Sequence, residues 1–377
     1  MGEPDSKIID MHMHVGLLGD KWPYWGHFSD WYRRQIVYKL FLFYSRVDEK
    51  NVSDLFLRDM AIKTIESSNL SKVVCLALDP VYDAKGNRRT DRSNVWVDND
   101  FIIKELRKNL PDKVLLGASV HPYDPQFLNR VRKCVDEEAV VMKWLPSAQQ
   151  FDLAEEKTRD AMLSLAKVGR NEKPLPLLLH IGPEFAIPTT DEKTSSYDYL
   201  SWSWTDKLVN FLRGRKRWHT PGIRKVHENI KAALDEGLTI IFAHAGLPYF
   251  SSGLLGRFLE HSDFKTVEKY LTGTIKEDFK GRCYTDVSAF CTPFRHKFFS
   301  EIKKLPPELL LLGSDFPTPA FELSADLAEI LEDFKAVLKG QLYRIVVPQG
   351  NLLDVNCREL QKAFPGHPMF TNFSKLI

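Results

Sequence analysis

The sequence is poor in features that would assign a protein to a class on composition alone. It has five cysteines, Cys75, Cys134, Cys283, Cys291 and Cys357, odd in number, scattered and without a CxxC pair. Cys75 and Cys134 lie in apolar or amphipathic runs, where a buried free thiol is the simple expectation. The set fits a reduced, cytoplasmic compartment better than a disulfide framework. An excess of one charge is missing too. The 52 Lys and Arg against 50 Asp and Glu leave a formal net charge of +2. There is therefore no electrostatic case for nucleic acid or an anionic membrane as partner. No apolar stretch approaches the length of a bilayer span. The first residues, MGEPDSKIIDMHMH, lack the basic and apolar regions of a signal peptide. Gly2 and Ser6 match a myristoylation pattern too permissive to carry weight. Internal repeats and low-complexity segments are also missing.

What is present is a series of short apolar runs from one end to the other. They cover Ile8–Val15, Lys72–Leu78, Val114–Val120, Val140–Leu145, Leu175–Ile181, Leu238–Ala245, Cys283–Ala289 and Leu309–Gly313. A strand buried on both faces reads as an unbroken run, whereas a half-exposed strand alternates. Amphipathic segments at helical spacing lie between them. The clearest is Thr220–Gly237, with Thr220 as a cap, Pro221 at the first helical position, Gly237 at the exit and Ile223, Val226, Ile230 and Ala233 or Leu234 as its stripe. Glu322–Gly340, Pro125–Glu137 and Leu153–Val168 are similar. Eight strands alternating with helices predict an α/β fold, a (β/α)8 TIM barrel, in one domain spanning 1–377. An open doubly wound sheet is the fallback. Two stretches are too long for simple connections: Gly16–Asn51, crowded with aromatics, and Pro183–His219, with more aromatics and the basic run Arg213–Arg217. Both follow proposed strands, so both are expected on the C-terminal face as lids or pocket walls after strands 1 and 5. The same aromatics can also serve to pack the insertions onto the barrel.

The chemistry-bearing residues sit at the ends of these runs. His12 and His14 lie in IIDMHMHVG, two apart, so both imidazoles face the same way on a strand. His180 closes PLLLHIG, His244 ends TIIFAHAGLP and Asp315 follows LLLLGSDFP. Each alone is explained as a core histidine or a turn cap. Together they occupy the ends of runs one, five, six and eight, which a barrel brings to one face. Three imidazoles and a carboxylate make a site for a borderline divalent metal, with zinc the first choice and Mn, Fe or Ni as alternatives. His121, at the end of GASVHPYDP, and Arg295, in CTPFRHK, are secondary candidates for substrate binding. A structural role for His121 and a surface ion pair for Arg295 are the rival readings.

The ordered segments HMH, LLLHIG, FAHAGLP and LGSDFP, with VVPQGN near the end, resemble the amidohydrolase superfamily. The resemblance is especially to the branch containing aminocarboxymuconate semialdehyde decarboxylase and related hydrolases, and it covers about Ile8 to Asn356. It implies that His12, His14, His180 and Asp315 hold the metal, and that His244 is a second-metal ligand or an acid/base. Lys143, in VVMKWLPSA, is similar to a dihydroorotase lysine that is carboxylated and bridges two metals. In mononuclear relatives an unmodified lysine occurs here, so one or two ions remain open. The resemblance implies hydrolysis of an amide, lactone or other ester bond in a small molecule, with Asp315 taking the proton of a metal-activated water. Non-oxidative decarboxylation of a small, often aromatic acid is the alternative, and a non-catalytic binding barrel the more distant one. A homodimer is expected from the resemblance alone.

Overall fold

The computed structural model describes residues 8–45, 47–170, 173–181, 186–187, 200, 220–247, 263–292, 295, 298–318 and 350–377. Each of the eight apolar runs contains a strand: β1 (Ile9–His14), β2 (Lys72–Leu76), β3 (Val114–Ala118), β4 (Val141–Trp144), β5 (Leu177–Leu179), β6 (Ile240–Phe242), β7 (Cys283–Asp286) and β8 (Leu310–Leu311). They form one parallel sheet in chain order, a nearly closed barrel. Their continuous hydrophobicity has a direct cause. Side chains on both faces of β4, β5 and β6 are buried, so alternation has no solvent side to record.

The chain divides into two compact units. The first comprises Met1–Ala77, Asn94–Gly117 and Asp286–Ile377. Within it β1 pairs with β2 and β2 with β3, Ile9 opposite Lys72 and Val73 opposite Val114. The Met11 amide donates to the Leu312 carbonyl at 2.9 Å and the His14 amide to the Phe316 carbonyl at 2.7 Å, so the segment directly after β8 lies against β1. Helix α1 (Asp54–Glu66) follows the first insertion, and α6 (Leu352–Ala363) and α7 (Met369–Leu376) close this unit. The second unit comprises Leu78–Ser93 and Ala118–Thr285. There β5 pairs with β4 and β6, and β6 with β7. Its longer helices among the described residues are α2 (Phe127–Asp136), α3 (Glu156–Leu165), α4 (Thr220–Asp235) and α5 (Asp263–Leu271).

Helix α4 shows how local sequence sets an element boundary. Val226, Ile230, Ala233 and Leu234 are buried along one stripe. Gly237 has φ +98°, its amide donates to Leu234, and the Leu238 amide donates to Ala233. This is the paired hydrogen-bond pattern that glycine permits at a helix exit, because a left-handed residue there meets no Cβ clash. The expected helix at Glu322–Gly340 lies outside the described residues.

The first insertion carries short elements and is tied to other parts of the first unit. Gly26–Phe28 pairs antiparallel with Val95–Val97, and short helices cover Asp30–Arg33 and Ile36–Tyr44. Phe28, Tyr32 and Tyr38 meet at ring separations of 5.5 to 6.0 Å. Its entry is fixed by the buried Asp54, whose carboxylate accepts the amides of Leu18, Gly19, Lys21 and Trp22 at 2.6 to 3.0 Å. Tyr24, by contrast, is 84% exposed. Most of the second insertion, 183–219, lies outside the described residues. Among the described residues no helix is long and apolar enough to cross a membrane, and all five cysteines are buried free thiols.

Candidate metal centre

In the first unit, β1 buries Met11, His12 and Met13 completely and brings His12 and His14 together. The two imidazoles meet edge to face, with their Nε2 atoms 3.1 Å apart. Asp315 completes the group: its Oδ1 lies 3.6 Å from His12 Nε2 and 3.5 Å from His14 Nε2. These three donor atoms form a triangle with edges of 3.1, 3.5 and 3.6 Å. Ligands about 2.0–2.1 Å from a tetrahedral zinc ion sit roughly 3.3 Å from one another, so the triangle has the size a divalent cation requires. His12 and Asp315 are buried, and His14 is partly open to solvent.

The backbone around Asp315 is built to hold that position. Its φ is +60°, a left-handed conformation that Asp tolerates better than most residues. Its amide donates to the His12 carbonyl at 2.7 Å, tying its height to that of the histidine. The Thr318 hydroxyl donates to Oδ2 at 3.1 Å, which leaves Oδ1 turned to the imidazoles. Beneath them Asp10 Oδ1 accepts the amides of His12 (3.0 Å) and Ser314 (2.9 Å). Burial lifts the Asp10 carboxyl to about 6, against the hydrogen bonds from Ser314 and His12. Gly313 permits the close approach of these segments, because a Cβ there would stand 2.8 Å from His12 Cβ and 2.9 Å from Ser288 Cβ.

Three residues absent from the sequence-based candidate list also shape this centre. Asp286 ends β7 fully buried, with Oδ2 2.8 Å from His12 Nδ1. Ser288 donates its amide and hydroxyl to Asp286 Oδ1. Asp10, two residues before His12, ties the His12 and Ser314 amides together through Oδ1. For Asp286 the available signal was a carboxylate at the end of a strand, as for Asp315; Asp10 and Ser288 carried none.

In the second unit His180 and His244 stand together, both 5% exposed, with ring centroids 5.2 Å apart. His244 and Ala245 have φ of +55° and +54°, successive left-handed residues that turn the chain sharply after β6. Backbone strain held in this way is common at functional sites. The Ala245 amide is secured by the Thr285 hydroxyl, which itself donates to the Phe242 carbonyl. Lys143 is fully buried in β4, and its carbonyl accepts the Ser119 hydroxyl at 2.9 Å.

His121 has a different character. Its Nε2 faces the Gln149 carbonyl at 2.8 Å, and its Nδ1 accepts the Tyr123 amide at 3.0 Å. Both ring nitrogens therefore serve the backbone in a fully buried position, so the structure favours the structural role over substrate binding. Burial pushes its pKa down to about 3, against the bond to Gln149. An unfolded histidine titrates near 6.5. Between these values the unfolded chain binds a proton that the folded chain refuses, so stability falls as pH falls. From pH 8 to pH 5 this residue withdraws about 2 kcal/mol. Denaturant titrations at both pH values will show His121→Gln losing about 2 kcal/mol less than the parent. Equal losses in the two proteins would refute the assignment. Arg295 is likewise not on the surface: it is 2% exposed and donates to the Ser288 carbonyl at 3.2 Å.

Fold and site together define an α/β barrel with a histidine and aspartate cluster at the end of its first strand. No family model and no curated protein matches the sequence. Solved structures do. The chain is similar to amidohydrolase 2 from Bifidobacterium longum subsp. infantis, at 13% identity over 94% of this chain and 97% of that one, with a TM-score of 0.43. It is similar to 5-carboxyvanillate decarboxylase from Novosphingobium aromaticivorans, complexed with manganese and 4-hydroxy-3-methoxy-5-nitrobenzoic acid, at 15% identity over 84% and 88%, TM-score 0.44. IDCase from Metarhizium anisopliae aligns at 12% identity over 99% and 96%, TM-score 0.47.

Proposed function

We propose that this protein is a metal-dependent enzyme of the amidohydrolase type that hydrolyses an amide, lactone or other ester bond of a small molecule. The observation that carries the reading is the triangle of His12 Nε2, His14 Nε2 and Asp315 Oδ1. Two imidazoles and a carboxylate suit zinc, and manganese is compatible with the same donors. His180 is the third imidazole of the proposed ligand set, on the strength of its motif at the end of β5. A bound divalent cation supplies a Lewis acid that polarises the scissile carbonyl and lowers the pKa of water towards neutrality.

The remaining work falls to side chains. The Asp315 carboxylate accepts the proton of the attacking water and returns it to the leaving group, while Thr318 fixes its orientation by donating to Oδ2. His244 stabilises the charge that develops on the carbonyl oxygen. Lys143, buried on β4, is the residue that would raise the ion count to two if carboxylated. The compartment is read as cytoplasmic from the cysteine pattern.

Elemental mass spectrometry on gently purified protein tests the proposal. We expect at least one Zn or Mn per chain, and at least a tenfold loss of occupancy in His12→Asn/His14→Asn. Two ions direct the search to amides and lactones with a carbamate at Lys143. One ion leaves the lysine unmodified and puts decarboxylation of a small carboxylic acid level with hydrolysis. Unchanged occupancy in the double variant places the site elsewhere.

A further inference from the structure

We infer that Asp286 is a positioning residue for His12: it holds the ring in the tautomer whose Nε2 lone pair is available to a metal. The inference rests on the metal reading given above, and its geometry lies within the first unit. Asp286 Oδ2 is 2.8 Å from His12 Nδ1, both side chains fully buried. A carboxylate only accepts, so Nδ1 carries the hydrogen and Nε2 is left with its lone pair. That Nε2 is the atom facing His14 and Asp315. A metal-bound histidine characteristically gives its other N–H to a carboxylate or carbonyl, which orients the ring and raises its basicity.

The surroundings determine which carboxylate oxygen faces the ring. Ser288 delivers two donors to Oδ1, its amide at 3.1 Å and its hydroxyl closer still. The Ser288 carbonyl is in turn held by buried Arg295. This asymmetry makes Asp286→Asn an informative substitution. Ser288 claims the amide oxygen, so the amide NH2 turns to His12 Nδ1. A donor there requires an acceptor in return. The imidazole hydrogen then moves to Nε2, where it points at the proposed cation. Size and packing hardly change, yet the ring becomes a poor ligand. Conserving shape while reversing hydrogen-bond polarity separates positioning from packing.

Zinc competition titrations against a chromogenic chelator give the affinity readout. Asp286→Asn is expected to weaken zinc binding by 10- to 100-fold, and Ser288→Ala, which keeps the carboxylate, by less than threefold. Nitrogen-15 NMR of the chelator-stripped parent protein gives a second readout that needs no variant. His12 is expected as the Nδ1–H tautomer at pH 8, and an Nε2–H tautomer overturns the inference. If Asp286→Asn binds zinc like the parent while His12→Asn/His14→Asn does not, Asp286 has no positioning role and the metal reading stands. If neither variant loses zinc, both fail.

Discussion

Asp315→Asn leaves the fold intact and lowers turnover by about three orders of magnitude. The substitution preserves volume, and Asn accepts the left-handed backbone at this position as readily as Asp does. The backbone bond from residue 315 to the His12 carbonyl does not involve the side chain. What changes is chemistry. Thr318 donates to Oδ2, so it retains the amide oxygen and turns the NH2 towards His12 and His14. A neutral donor then stands where an anionic acceptor faced the imidazoles, and no group remains to take the proton from water. The measurement is kcat on a substrate from an amide and lactone screen, with circular dichroism and Tm recorded beside it. Near-normal turnover in a folded variant would remove Asp315 from the mechanism.

Arg130→Met costs about 3–5 kcal/mol of stability. The guanidinium grips Asp79 with two bonds, 2.9 and 3.0 Å, and also donates to Asp124 and to the Tyr82 hydroxyl. Asp79 is 1% exposed and Asp124 6%. Methionine replaces most of the aliphatic stem but leaves two carboxylates in a poorly solvated position with their cation removed. Asp79 also accepts the His121 amide at 2.8 Å, so the damage extends to the turn after β3. Removing Asp79 as well should be less harmful than removing Arg130 alone, because the deeper of the two charges then disappears with its partner. Urea denaturation of the single and double variants measures this. A loss under 1 kcal/mol for Arg130→Met would mean that water already screens the cluster.

The contrast between His121 and His12 shows where reading from residue types stops. Both are buried, His12 within its apolar strand and His121 just beyond one. One has each ring nitrogen committed to the backbone, and the other turns Nε2 towards a second histidine and an aspartate. Beyond the neighbours two residues on, Tyr123 and His14, the deciding partners are distant in sequence: Gln149 in one case and Asp286 and Asp315 in the other. Arg295 illustrates the same limit. Its charge suggested a substrate carboxylate or a surface ion pair, and the fold buries it against the Ser288 carbonyl.

The sequence by itself determined the number, order and parallel character of the barrel strands, because burial on both faces leaves a hydrophobic run with no polar alternation. It also determined the exit of α4, where Gly237 supplies the required positive φ, and the common face of His12 and His14, which strand periodicity dictates. Those properties depend on neighbours a few residues apart. Only the tertiary structure decided that Asp315 Oδ1 completes a triangle with two Nε2 atoms, that Asp286 takes Nδ1 of His12, and that His121 spends its ring on the backbone. Each of these is a contact between segments distant in sequence, set by strand register and left-handed turns to within an ångström, and residue type carries no record of such distances.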